Sequence, residues 1–146
     1  MEDTFPRPLV LWSELERAVA TGNGLPPGIR TVLVDRMGLL ARLYHYSDIA
    51  YVGGGFGDGI HSLLEAAAWG KPVIFGPRHT KFAEAQGLIE VGGGFEVNNA
   101  DELLAVLDRL LNDPAALRKA SEAAGRYVRE RVGATVIVTD HVLRGL

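Results

Sequence analysis

The chain has 146 residues, 47% of them apolar and 23% charged, the size and make-up of one globular domain with a core of its own. Its formal charge of −3 gives no global electrostatic reason to bind nucleic acid or an anionic membrane. With no cysteine, a disulfide framework and a thiolate metal site are excluded, and no apolar run approaches the length of a membrane-spanning helix.

Short apolar runs alternate with helical patterns along the chain. Leu9 to Trp12 reads as a strand, and Ser13 as the N-cap of a helix ending at Ala20. Gly22 to Gly28 is a loop by its glycine and proline content. Thr31 to Val34 is a β-branched strand, followed by a helix over Met37 to Tyr46. Next come a strand at Ile49 to Val52, a helix over Ile60 to Trp69, and a strand at Pro72 to Phe75. A helix from Lys81 to Val91 leads to a strand at Phe95 to Val97. The rest reads as helix: Ala100 to Leu111, Pro114 to Arg131 and Ala134 to Leu143, with Asn99 and Asp113 as caps and Pro114 at a first helical position. Strands that are apolar on consecutive residues and alternate with helices predict a Rossmann-like α/β fold, a parallel sheet covered on both faces. A single domain over residues 1–146 is expected.

The most telling segment is Asp48 to Glu65, where the strand Ile49–Val52 enters a loop with five glycines among the seven residues Gly53 to Gly59. Glycine lets the backbone come close to a ligand, and the helix that follows directs unpaired N–H groups into the loop. That arrangement suits phosphate; it also suits a tight strand-to-helix turn with no ligand. In an open parallel sheet ligands bind beyond the carboxyl ends of strands. Asp35 to Gly38, Gly53 to His61 and Gly76 to Lys81 are placed there. Arg78 and Lys81 offer positive charge to an anion, or are two solvated surface cations. Glu65 lies four residues after His61, on one face of the expected helix, where its carboxylate suits a ribose diol. His61 either donates to a phosphate or caps the turn, whereas His45 and His141 read as structural. No spacing of His, Asp and Glu resembles a metal cage.

These residues resemble a known family. Asp35-Arg36-Met37-Gly38-Leu39-Leu40 with Leu43-Tyr44 is similar to the C-terminal half of the 3-deoxy-D-manno-octulosonic acid (Kdo) transferases. So are Asp48 to Gly54, Gly59-Ile60-His61-Ser62-Leu63-Leu64-Glu65-Ala66-Ala67, Gly70 to Pro77 and Phe82. The run YVGGGFGDGIHSLLEAAAWGKPVIFGP most resembles a Bacteroidetes-like branch, and the likeness covers nearly the whole chain. It implies the C-terminal, donor-binding domain of a GT-B inverting glycosyltransferase that moves Kdo from CMP-Kdo to a lipid A precursor in lipopolysaccharide biosynthesis. The parent enzyme would work in the cytoplasm, at the cytoplasmic face of the inner membrane, without insertion by this domain.

By the same resemblance Met37 and Gly38 match an element near the cytidine. Gly53, Gly54, His61 and Glu65 match elements near phosphate and ribose, and Gly55 and Ser62 beside them are counted among the donor-binding residues. Ser62 stands where the family usually has Asn, and Leu39 where many members have Glu. No catalytic residue, metal or cofactor is expected in this chain, since the family's catalytic carboxylate lies in an N-terminal domain. The donor would be CMP-Kdo and the main partner that missing domain, making the chain a fragment or split subunit, inactive alone. The alternatives are a free-standing nucleotide or sugar-phosphate binding module, or part of another GT-B enzyme using a UDP-sugar. The resemblance further places strands missing from this chain between Thr31–Val34 and Ile49–Val52. Those two strands are then expected to pair directly, or to be covered by a homodimer or the missing partner.

Overall fold

A computed structural model describes residues 8–25, 27–57, 60 and 62–131. Asp58, Gly59, His61 and the helix expected at Ala134 to Leu143 lie outside the described residues. Residue contacts divide the chain into two compact units, Met1–Arg42 and Leu43–Leu146.

The first unit holds β1 (Leu9–Leu11), α1 (Trp12–Ala20) and β2 (Thr31–Leu33), and α2 (Leu40–Leu43) runs across the division. β1 and β2 pair in parallel, Val10 opposite Val32. α1 starts one residue before the expected cap. The Glu14 carboxylate accepts the Leu11 N–H at 3.1 Å, while Ser13 turns to Asp35 and donates its N–H at 3.0 Å and its hydroxyl at 2.5 Å. Those two bonds from Ser13 hold the Asp35 carboxyl below its ordinary range. Ser13 therefore ties α1 to the loop after β2, where a helix had been expected from Met37; Arg36 adds an ion pair to Glu16 at 3.3 Å.

The second unit begins with a 3-10 turn (Tyr44–Tyr46). It continues with β3 (Ala50–Val52), α3 (Leu64–Ala68), β4 (Val73–Phe75), α4 (Ala83–Val91), β5 (Gly94–Glu96), α5 (Ala100–Asn112) and α6 (Pro114–Arg131). The strand order is β3-β4-β5, all parallel, with Tyr51 opposite Ile74 and Ile74 opposite Phe95. Central β4 is apolar on three consecutive residues, each fully buried, as a strand covered on both faces must be. Within its own unit, Thr31–Leu33 has β1 as its neighbour, and Ala50–Val52 has β4.

The core joins Ala50, Val52, Val73 and Phe75 of the sheet to Leu63, Ala66 and Ala67 around α3, Ala85 and Leu88 of α4, and Ala124 and Tyr127 of α6. Small residues on α3 and α6 let these helices close on each other. Both expected caps hold. Asn99 Oδ1 accepts the Glu102 N–H at 2.9 Å, and Asp113 Oδ1 accepts from Ala115 and Ala116 at 2.9 and 3.0 Å with Pro114 at the first helical position.

Candidate functional site

Three carboxyl ends lie side by side in the second unit: β3 leads to the glycine loop, β4 to Gly76–Lys81, and β5 ends on Glu96. Val52 and Ile60 are both buried, so the loop between them is anchored at each side. Gly53 and Gly54 are exposed, and Gly54 has φ +92°, a left-handed conformation that favours glycine. The Gly57 N–H donates to Gly54 O at 2.9 Å, which closes a turn.

Gly55 is buried against Gly76 at the start of the neighbouring loop. A Cβ built on Gly55 would lie 2.5 Å from Gly76 N, so only glycine permits this approach. Arg78 then stitches the loops together: its backbone N–H donates to Gly55 O at 2.9 Å and its guanidinium to Gly57 O at 2.9 Å. The glycine loop and the Arg78 loop thus form one hydrogen-bonded rim, buried at Gly55 and Gly76 and exposed at Gly53, Gly54, Gly57 and Arg78, with positive charge at its edge. Such a rim can take an anion, through N–H groups and guanidinium rather than a metal.

Sequence reasoning missed the inner half of this rim. His79 is buried, its Nε2 lies 2.6 Å from Glu96 Oε2, and its ring packs edge-on to Phe75 with centroids 5.3 Å apart. A histidine in the short loop between β4 and α4, beside Arg78 and Lys81, carried a signal that went unread.

The expected site residues divide as follows. Gly53, Gly54, Gly55 and Arg78 are brought together. Lys81 is exposed near the start of α4. α3 starts at Leu64 rather than Ile60, with Leu63 at the cap position and no side-chain cap bond, so exposed Ser62 is not a cap. Glu65 accordingly sits exposed in the first turn of α3 rather than the second. His61 is outside the described residues. Met37, 99% exposed, and Gly38, with φ +80°, belong to the loop after β2 in the first unit. His45 stacks edge-on with Tyr46 and Trp69, in keeping with its structural reading. Among the described residues no His, Cys, Asp and Glu group could hold a metal, and no helix is long and apolar enough to cross a membrane.

Glu65 has one measurable neighbour. The Tyr44 phenol is pushed above its ordinary pKa, first by burial and then by the Glu65 charge, both of which disfavour the phenolate. In Glu65→Gln the second cause is gone, and Tyr44 is expected to ionise at lower pH than in the parent. The check is the ultraviolet absorbance difference between each protein and its Tyr44→Phe version. Identical titrations would place Glu65 away from Tyr44.

The chain is 41% identical over 104 residues to the 3-deoxy-D-manno-octulosonic acid transferase of Aquifex aeolicus, covering 68% of this chain and 30% of that protein. Against the transferase of the same name from Bordetella pertussis the identity is 36% over 119 residues, covering 80% of this chain and 28% of that one. The chain is a relative of the Kdo transferases. It spans less than a third of the length of either. The crystal structure of the C-terminal CMP-Kdo binding domain of WaaA from Acinetobacter baumannii shares the fold, with a TM-score of 0.65 and 23% identity over 75% of this chain and 58% of that one. No family model matches the sequence. The Kdo-transferase relationship and the α/β fold with parallel strands both agree with the resemblance read from the sequence.

Proposed function

We propose that this chain is the donor-binding part of a Kdo transferase, and that the rim formed by Gly53–Gly57 and Gly76–Arg78 takes the phosphate of CMP-Kdo. The observation that carries this is the joining of two neighbouring strand-end loops by Arg78, which sets a guanidinium at the edge of the glycine loop. Its support is the relationship to the Kdo transferases and the fold shared with a CMP-Kdo binding domain. Glu65 would accept from the ribose diol. Met37 and Gly38 enter as cytidine contacts through the resemblance alone, and residues 1–146 would form one partial Rossmann-like donor domain. Transfer itself needs a base at the acceptor hydroxyl as well as stabilisation of the leaving CMP phosphate, and this rim offers the second. The base and lipid A precursor surface would belong to an N-terminal domain working at the cytoplasmic face of the inner membrane. The partner of this part would be that remaining domain, or a second copy of the chain.

Titration with CMP, UMP and UDP followed by amide NMR tests the reading. CMP is expected to shift the amides of Gly53 to Gly57 and of Arg78, with UMP and UDP weaker. A stronger response to UDP would point to a UDP-sugar enzyme, and no response at these amides would overturn the site.

A further inference from the structure

His79 and Glu96 have no part in the donor contacts above, yet they pair a buried imidazole with a carboxylate at the surface. The side chain of His79 is 8% exposed in a loop whose neighbours Arg78, Thr80 and Lys81 are all exposed. Burying an imidazole costs free energy unless its nitrogens are bonded. Here one is bonded, Nε2 to Glu96, while Nδ1 is buried without a hydrogen-bond partner among the described residues. An apolar residue beside Phe75 would avoid that cost, so packing alone does not account for a histidine.

The connections made through His79 do account for it. Glu96 is the last residue of β5, a strand held in register by β4. From Glu96 the bond reaches across to the loop that follows β4. The backbone of His79 is fixed on both sides, its N–H donating to Pro77 O at 3.0 Å and its carbonyl accepting from Phe82 at 2.8 Å. Arg78 is the next residue back in the chain, and both of its bonds to the glycine loop, from its own N–H and from its guanidinium, start one residue away from this fixed point.

We propose that His79 and Glu96 are positioning residues, a latch from β5 that sets Arg78 against the glycine loop in the geometry an anionic phosphate group requires. The proposal rests on the donor-site reading for its ligand, but the latch itself is visible without one.

The experiment compares the parent chain with His79→Leu, His79→Gln and Glu96→Ala, first without ligand and then with CMP. His79→Leu keeps bulk beside Phe75 and loses the bond. His79→Gln keeps a donor, and Glu96→Ala leaves the buried loop residue untouched, so it reports even where a change at 79 impairs folding. Without ligand, His79→Leu and Glu96→Ala are expected to move the amide signals of Gly55, Gly57 and Arg78, with the core amides of β4 unmoved. With CMP, both are expected to bind about tenfold more weakly, the loss of roughly one charged hydrogen bond, and His79→Gln to recover most of that. A merely structural role would lower the melting temperature in all variants and show no recovery by Gln. Unmoved amides at Gly55, Gly57 and Arg78 in the two disrupting variants would overturn the latch. If those amides move but CMP binds none of the proteins, the latch stands and the donor-site reading falls.

Discussion

Gly55→Ala is expected to destabilise the fold by about 3 kcal/mol, at the upper end of what overpacking costs. The added Cβ would sit 2.5 Å from Gly76 N and 2.6 Å from Gly76 Cα, closer than such atoms can approach. No side chain can rotate to relieve this, because the obstructing atoms are backbone on a loop tied to the buried end of β4. The contact is reciprocal: a Cβ on Gly76 would meet Gly55 C at 2.7 Å and Gly55 O at 2.8 Å. The two loops would have to separate, and the Arg78 N–H bond to Gly55 O would be lost with them. Gly57→Ala is the control, since its Cβ would meet nothing nearer than Gly54 O at 3.8 Å. That variant is expected to stay within about 0.5 kcal/mol of the parent, as open surface positions do. Urea unfolding midpoints measure both. Equal midpoints for the two variants would mean the loops do not meet as closely as the Gly55–Gly76 contact requires.

That contact also shows what the sequence could and could not disclose. The alternation of apolar runs and helices located every strand to within a residue or two, because a strand buried on both faces leaves an uninterrupted apolar run such as Val73-Ile74-Phe75. The caps at Asn99 and Asp113 were legible for the same local reason: each is a short side chain bonding a backbone two or three residues ahead. The glycine loop was legible as a loop, but its pairing with Gly76, 21 residues further on, depends on which strands lie side by side, and no local pattern encodes that. Ser13 illustrates the limit. Its spacing before a helix suits a cap, yet an aspartate 22 residues away took both its donors. His79 went unread because its partner lies across a strand pair, where sequence separation conceals proximity.

Glu65→Ala is expected to weaken CMP binding by about 1–3 kcal/mol, roughly five- to 150-fold, the range for losing hydrogen bonds to a charged group. Its first-turn position on α3 leaves the carboxylate exposed and next to the strand-end rim in sequence, with a charge felt by Tyr44. The fold should survive the change. Leu63, Ala66 and Ala67 hold α3 in the core, and losing an acidic side chain from a helix's first turn costs only about 0.3–1 kcal/mol. Affinity alone would leave the contact atom undefined, so the decisive comparison adds 2′-deoxy-CMP. If Glu65 accepts from the ribose diol, the parent should prefer CMP over the deoxy form, and Glu65→Ala should show little preference between them. The two changes remove the same interaction, so their effects should not add. Full additivity, with the mutant still preferring CMP by the parent's margin, would take Glu65 off the ribose even if its loss weakened binding.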